Sequence, residues 1–158
     1  MKFSKKGLEL LKQLEGFRSK HYLCSAGVPT IGYGSTRYSN GVRVSLRDPE
    51  ISETKAIEML IFDVAAFEKD VTMLTKSVVL TQNQFDALVL FAYNVGSDID
   101  IDTTPEGLGD SALLKKVLHN PCAASIASEF MKWVHAGGKI SNGLIKRRKI
   151  ESNLYFAP

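Results

Sequence analysis

From Ile57 through Leu60, Ile61, Val64 and Phe67 to Val71, apolar side chains recur every three or four residues. Ser52 stands where a cap would open this helix, and the pattern predicts that it runs to about Leu74. Such a helix constrains the whole chain, because the segments on its two sides have different textures. Before it, from about Tyr22 to Val44, glycines and β-branched residues dominate. There Asn40-Gly41, flanked by Tyr38 and Val42, is a type I′ hairpin signal. After it, apolar residues keep helical spacing almost to the end. The expected fold class is α+β, a small antiparallel-sheet lobe joined by a long helix to a larger helical lobe.

Other boundaries follow from local chemistry. Ser4 can cap a first helix reaching about Leu14, and Gly16 ends it. Thr81 to Gln84 reads as a capping box, with Leu80 and Phe85 as its hydrophobic staple; the helix it opens stops at Gly96. Residues 97–109 are acidic and turn-rich and predict a mobile loop. Helices are expected over 111–118, 123–135 (ended by Gly137-Gly138) and 143–154. A chain of 158 residues suits a single domain over 1–158. Within it a sheet-containing lobe would occupy roughly 15–50, and a helical lobe 75–158 together with the first helix.

The formal charge of +3 does not describe a polycation. Basic residues do cluster, at Lys2, Lys5 and Lys6 and again at Lys146, Arg147, Arg148 and Lys149; either an anionic partner or a solvated helix face accounts for such runs. The aromatic residues do not interleave with them, which argues against a nucleic-acid module. Cys24 and Cys122 make no zinc-type spacing and are expected as free thiols. No apolar stretch follows the charged start as in an export signal, and no run is long enough to span a membrane. No metal or cofactor is called for.

The segment Leu14-Glu15-Gly16-Phe17-Arg18, then Cys24, then Val28-Pro29-Thr30-Ile31-Gly32-Tyr33-Gly34, places an acid at a helix end and a thiol and a hydroxyl in the β-rich part. An acid facing small polar groups that hold a water suits glycosidic bond cleavage. The pattern resembles the Glu-Asp/Cys-Thr triad of the phage-type lysozymes, glycoside hydrolase family 24. The likeness continues through Leu80-Thr81-Gln82-Asn83-Gln84-Phe85-Asp86-Ala87-Leu88, Phe91-Ala92-Tyr93-Asn94-Val95-Gly96, Glu129-Phe130-Met131-Lys132-Trp133, Ala136-Gly137-Gly138 and Gly143-Leu144-Ile145-Lys146-Arg147-Arg148 with Glu151. Five segments in the same order carry the resemblance over most of the chain. It departs from the family at Cys24, where Asp is usual, and at Ser35, where a His usually pairs with an Asp at the position of Asp63. Without an imidazole that ion pair cannot form, and the hinge is expected to be held differently.

The resemblance implies a muramidase cutting the β-1,4 bond between N-acetylmuramic acid and N-acetylglucosamine in bacterial peptidoglycan. Glu15 would be the general acid, and Cys24 and Thr30 would hold the attacking water. Asn94, with Tyr93 in the same turn, would bind an acetamido group. One of Arg147 and Arg148, with Arg148 the first choice, would orient Glu15, leaving the other as a surface charge. Read without the family, Glu15 is an ordinary helix-end residue, Thr30 a strand residue and Asn94 a helix C-terminal residue. Cys24 could also be a nucleophile with His21, His119 or His135 as base, or a small buried hydrophobe. Trp133 is read as a core anchor ahead of a sugar platform. The implied setting is phage lysis: a monomer held in the host cytoplasm until a holin opens the membrane, without stable membrane insertion of its own, then acting on the wall. A lytic transglycosylase and a silent wall-binding module are the alternatives.

Overall fold

The computed structural model describes residues 1–100 and 106–158. The chain divides into two compact units, Leu8–Ala66 and Met1–Gly7 with Phe67–Pro158. Among the described residues no helix is long and apolar enough to cross a membrane.

Helix α1 spans Lys5–Glu15. The Ser4 hydroxyl accepts from the Gly7 N–H at 3.1 Å and so caps it, as the sequence predicts. Gly16, at φ +71°, donates its N–H to the Lys12 carbonyl at 2.9 Å and ends it. Residues 5–7 of α1 fall in the unit with the later helices, and from Leu8 onward α1 falls in the sheet-bearing unit. Helical periodicity gives an apolar stripe but not the neighbour that covers it.

Strands β1 (Arg18–Leu23) and β2 (Pro29–Gly32) pair antiparallel, with Arg18 opposite Gly32, Tyr22 opposite Thr30 and Leu23 opposite Pro29. Between Arg18 and Tyr22 the register slips, so β1 bulges over Ser19–His21. That bulge is held from the 48–51 segment: the Ile51 N–H donates to the Ser19 carbonyl at 3.0 Å, and the His21 ring donates Nδ1–H to the Asp48 carbonyl at 3.1 Å. Ile31 and Ser35 exchange both backbone hydrogen bonds at 3.0 Å, closing the Gly32-Tyr33-Gly34 loop. Gly32 is required there twice over. Its φ is +67°, and a Cβ would sit 3.0 Å from Ala56 Cβ on helix α2 (Glu53–Leu74). Ile31, Val44 and Met59 form the core cluster of this unit, with Tyr38 and Ile51 packed on it.

The Asn40-Gly41 hairpin exists, but not as a type I′ turn. Of the two residues only Gly41 has positive φ, +84°. The Gly41 N–H donates to the Tyr38 carbonyl at 2.8 Å and the Tyr38 N–H to the Val42 carbonyl at 2.9 Å, giving a three-residue loop whose last residue is left-handed. Ser35 replaces the missing imidazole by a single hydrogen bond, its hydroxyl donating to Asp63 Oδ2 at 2.6 Å. Burial pushes the Asp63 carboxyl above its ordinary value, and the Ser35 bond only partly opposes this.

In the other unit, helix α3 (Gln82–Val95) is buried without a break from Gln84 to Ala92. The capping box predicted at its start is present in both halves. Helices α4 (Ala112–His119), α5 (Ile126–Phe130) and α6 (Asn142–Tyr155) complete this unit; α6 is the most extensive neighbour of α3, and α5 packs on α4 and α6. Phe91 meets Phe130 and Trp133 edge-on, at ring-centre distances of 5.6 and 5.4 Å. The helix expected over 123–135 is only α5. Around it the chain makes three-residue turns: the Ile126 N–H reaches the Ala123 carbonyl, and the Trp133 N–H the Phe130 carbonyl. His135–Ala136 and Lys139–Ile140 are strands β3 and β4 of a small hairpin. Gly137 and Gly138, both at positive φ, are its two-residue turn, so the pair that reads as a helix stop is a hairpin signal.

The basic runs are not one charged face. Lys2 pairs with Glu68 at 2.9 Å. Arg147 and Arg148 are both buried, so neither is a surface charge. Glu151, one turn along α6, accepts Arg147 Nε at 3.0 Å and Arg148 Nη1 at 2.6 Å. Burial pushes the Glu151 carboxyl up, to about 7, against the pull of the two guanidiniums.

Of the stretch expected as a mobile loop, residues 101–105 lie outside the described residues. On either side of them the chain is tied. Asp98 Oδ2 accepts the N–H groups of Glu106 and Gly107 at 3.1 and 3.0 Å. Further on, the Leu108 N–H reaches the Gly96 carbonyl and the Gly109 N–H that of Ser97. A Cβ on Gly109 would collide with the Asp98 carbonyl oxygen.

Two glycines therefore fail differently. Gly41→Ala meets nothing within 4 Å but keeps its positive φ, and is expected to cost about 1 kcal/mol in urea unfolding. Gly109→Ala must displace backbone and is expected to cost about 2 kcal/mol or more. Asp63 gives a pH signature. Its folded-state value is raised, so its contribution to stability is fully present below the unfolded value and is lost as pH rises through the folded one. Asp63→Asn keeps an acceptor for Ser35 and removes that dependence. Urea midpoints between pH 4 and 7 should show wild type gaining on the variant as pH falls; parallel curves would contradict the buried-acid description.

Candidate active site

The hairpin tip between β1 and β2 is built from its backbone outward. The Cys24 N–H donates to the Val28 carbonyl at 3.0 Å and the Gly27 N–H to the Cys24 carbonyl at 2.8 Å, with Gly27 at φ +73°. This is the same three-residue loop as the one at Tyr38–Val42. Both read alike in sequence, Cys24-Ser25-Ala26-Gly27-Val28 and Tyr38-Ser39-Asn40-Gly41-Val42. The loop fixes where the Cys24 side chain goes. Backbone hydrogen bonds from Val28 and Ala26 pull its thiol below the ordinary cysteine value, while partial burial works the other way. Cys24 is half-buried and, like Cys122, a free thiol.

Thr30 is buried, and its hydroxyl donates to the Val28 carbonyl at 2.9 Å. Its oxygen stays available as an acceptor beside the thiol. The structure thus brings Cys24 and Thr30 together on one hairpin, with Val28 bonded to both.

Glu15 is the last residue of α1 and is partly buried. A Cβ placed on Gly34 would come within 3.9 Å of Glu15 Oε2, so the glycine loop after β2 runs alongside the carboxyl. Thr30 is two residues upstream of Gly32 on β2, about 7 Å at the rise of a strand. Phe17 and Tyr33 pack at 5.6 Å between ring centres, and the Tyr33 hydroxyl donates to Glu53 Oε1 at 2.7 Å. An acid, a thiol with lowered proton affinity and a hydroxyl acceptor therefore sit on one helix end and one hairpin.

In the other unit Asn94 is exposed in the last turn of α3. Its Oδ1 accepts from Arg148 Nη2. The same guanidinium, wholly buried, lies 4.8 Å from the centre of the Phe91 ring and holds Glu151. With its oxygen committed, Asn94 presents Nδ2–H as a donor. Asn94, Val95, Lys132, Trp133, His135 and Leu144 line a depression of about 310 Å³. Trp133 is edge-on to Phe91, as a core anchor would be, and also lines the wall of this depression. Tyr93 packs its ring on Phe67 at 5.2 Å.

Sequence reasoning assigned no role to two supports of this arrangement. Glu151 carries no site-like motif; its spacing of three and four residues from the two arginines was the available signal. The part played by the Val28 backbone is visible only once the Ser-x-Gly-Val loop is recognised twice.

The family model for phage lysozyme matches residues 12–151. The chain is similar to the endolysin of Bacillus phage B103, with 41% identity over 99% of this chain and 54% of that protein, so it spans about half that relative's length. It is 40% identical to the endolysin of Acyrthosiphon pisum secondary endosymbiont phage 1, over 98% of each. Among solved structures, the endolysin from Escherichia coli O157:H7 phage FAHEc1 superposes with a TM-score of 0.84 at 36% identity, covering 99% of this chain and 94% of that one. The chain belongs to the phage lysozyme family.

Proposed function

We propose that this protein is a muramidase that hydrolyses the β-1,4 bond between N-acetylmuramic acid and N-acetylglucosamine in bacterial peptidoglycan during phage lysis. The observation that carries the reading is the Cys24–Thr30 hairpin tip, with the Glu15 carboxyl beside the glycine loop that follows β2. Membership of the phage lysozyme family and the endolysin relatives support it. A lysis role would have the protein wait as a monomer in the host cytoplasm and depend on a holin for access to the wall.

In this mechanism Glu15 donates its proton to the glycosidic oxygen as the C–O bond breaks. A water held by Cys24 and Thr30 adds to the anomeric carbon from the opposite face. Its proton passes to the Cys24 thiolate, which the backbone of Val28 and Ala26 favours. One displacement gives a product of inverted configuration. The Asn94 amide N–H would receive an acetamido carbonyl, with Tyr93 in the same turn. Arg148 is a positioning residue: it orients Asn94 directly, and the proposal extends its role to Glu15.

Peptidoglycan digestion with mass analysis of the soluble fragments tests the reaction. Glu15→Gln should lower turnover by roughly 10²–10⁴-fold with the fold unchanged, the range of a lost general acid. Reducing-end products identify a hydrolase. Anhydro products would replace it by a transglycosylase, and binding without release by a wall-binding module. Cys24→Asp should stay active, with the acidic limb of its pH–rate profile displaced to lower pH, because a carboxylate is ionised where a thiol is not. An unmoved limb would show that Cys24 only positions the water. Asn94→Asp keeps the acceptor for Arg148 but loses the donor, and should raise KM roughly fivefold with little change in kcat; an unchanged KM would remove Asn94 from the site.

A further inference from the structure

Arg37 and Arg43 face each other directly across an antiparallel bridge. Like charges in that relation oppose pairing. Arg37 Nη1 donates to the Gly41 carbonyl at 2.9 Å, which fixes its fork against the loop. Among the described residues neither guanidinium has a carboxylate partner. Most other cations of this unit differ from them, Arg47 being the exception without a carboxylate partner among the described residues. Lys12, Lys20 and Lys55 each reach a glutamate, and Arg18 lies over the Tyr22 ring at 4.3 Å. With Val28, Pro29, Thr36 and Val44 the two arginines line a depression of about 450 Å³. Its wall is therefore apolar with two adjacent guanidinium forks, a combination that suits a carboxylate carried on a short aliphatic chain.

Its location connects it to the site already described. Val28 and Pro29 are the last two of the five residues between Cys24 and Thr30 on the hairpin, and the Val28 carbonyl accepts from both Cys24 N–H and the Thr30 hydroxyl. The hairpin that carries Cys24 and Thr30 therefore also supplies part of the depression's wall. In peptidoglycan the muramic acid carries a peptide with free carboxylates. Resting on the muramidase reading above, we propose that the Arg37–Arg43 depression is a subsite for the stem-peptide carboxylates of peptidoglycan. Phosphate polymers fit the charge but not the apolar wall, and become an outcome of the test.

The test compares wild type with Arg37→Gln/Arg43→Gln on intact sacculi and on sacculi stripped of stem peptide by an amidase. It also compares equilibrium binding of a soluble disaccharide–tetrapeptide with that of the bare disaccharide. The variant should show a roughly tenfold higher KM on peptide-bearing sacculi and a similar loss of tetrapeptide binding, with kcat unchanged. On peptide-free glycan and bare disaccharide the two proteins should agree. Added salt should weaken the wild type on peptide-bearing substrate and leave the variant nearly flat. Equal losses with and without peptide, or no loss on either, would overturn the subsite. So would displacement of wild type from sacculi by a teichoic acid polymer without any tetrapeptide effect. The variant should melt no lower than wild type at low salt, since it removes a like-charge pair. If it does not fold, Arg43→Lys, which keeps the charge and loses the fork, should show about a threefold loss confined to peptide-bearing ligands. Binding and cleavage separate the two claims: tetrapeptide binding that needs the arginines stands even if no bond is cut, and cleavage without that dependence keeps the enzyme while removing the subsite.

Discussion

A guanidinium with no exposure to water must be satisfied by fixed acceptors, and much of the helical unit is arranged around that demand at Arg148. Glu151 supplies the charge one turn away at Nη1, Phe91 lies against the cation, and Asn94 takes Nη2, while the buried Nε has no hydrogen-bond partner among the described residues. Each partner is itself constrained. Phe91 is clamped between Phe130 and Trp133, and Asn94 lies in the last turn of a helix buried from Gln84 to Ala92. The result is a surface amide whose direction is set by buried charge. Mutation of the interior at this place would reach the surface through one hydrogen bond.

The sheet-bearing unit uses a different device. A three-residue loop with a left-handed glycine occurs twice, at Cys24–Val28 and at Tyr38–Val42. In the first, the loop aims backbone hydrogen bonds at a thiol; in the second, it brings Arg37 and Arg43 into opposition. A short loop specifies side-chain direction cheaply because its backbone bonds are made whatever side chains it carries. The Ile31–Ser35 closure works in the same way, burying Ser35 so that its hydroxyl must meet Asp63. A neutral hydrogen bond there leaves the carboxyl with less compensation than a cation would, hence its raised proton affinity.

Much of this was legible in the chain. The α1 cap at Ser4, the stop at Gly16, the long α2 and the capping box of α3 are short-range chemistry, and each lies where the residues place it. The misreadings share a cause. Gly137-Gly138 is a signal both for ending a helix and for turning a hairpin, and Asn40-Gly41 fits two hairpin geometries; local sequence does not choose between them. Residues 123–135 carry apolar spacing good enough for a helix, yet only Ile126–Phe130 forms one. Propensity is overridden by tertiary context there: buried Glu129 is bound by Lys116 of α4 at 2.6 Å, besides its local pair with Lys132 at 2.7 Å.

For the candidate site the division is similar. Sequence alone determined which residue types were present at which spacing, the acid at the end of α1, the thiol and hydroxyl on the following hairpin, and the family to which that order corresponds. Tertiary structure decided what those groups experience. It set the backbone bonds that lower the proton affinity of Cys24, the burial of both arginines at the end of a run that reads as surface charge, and the pairing of Arg37 with Arg43. The reason is physical: spacing along a chain fixes identity and local hydrogen bonding, whereas proton affinity and charge compensation depend on burial and on neighbours distant in sequence.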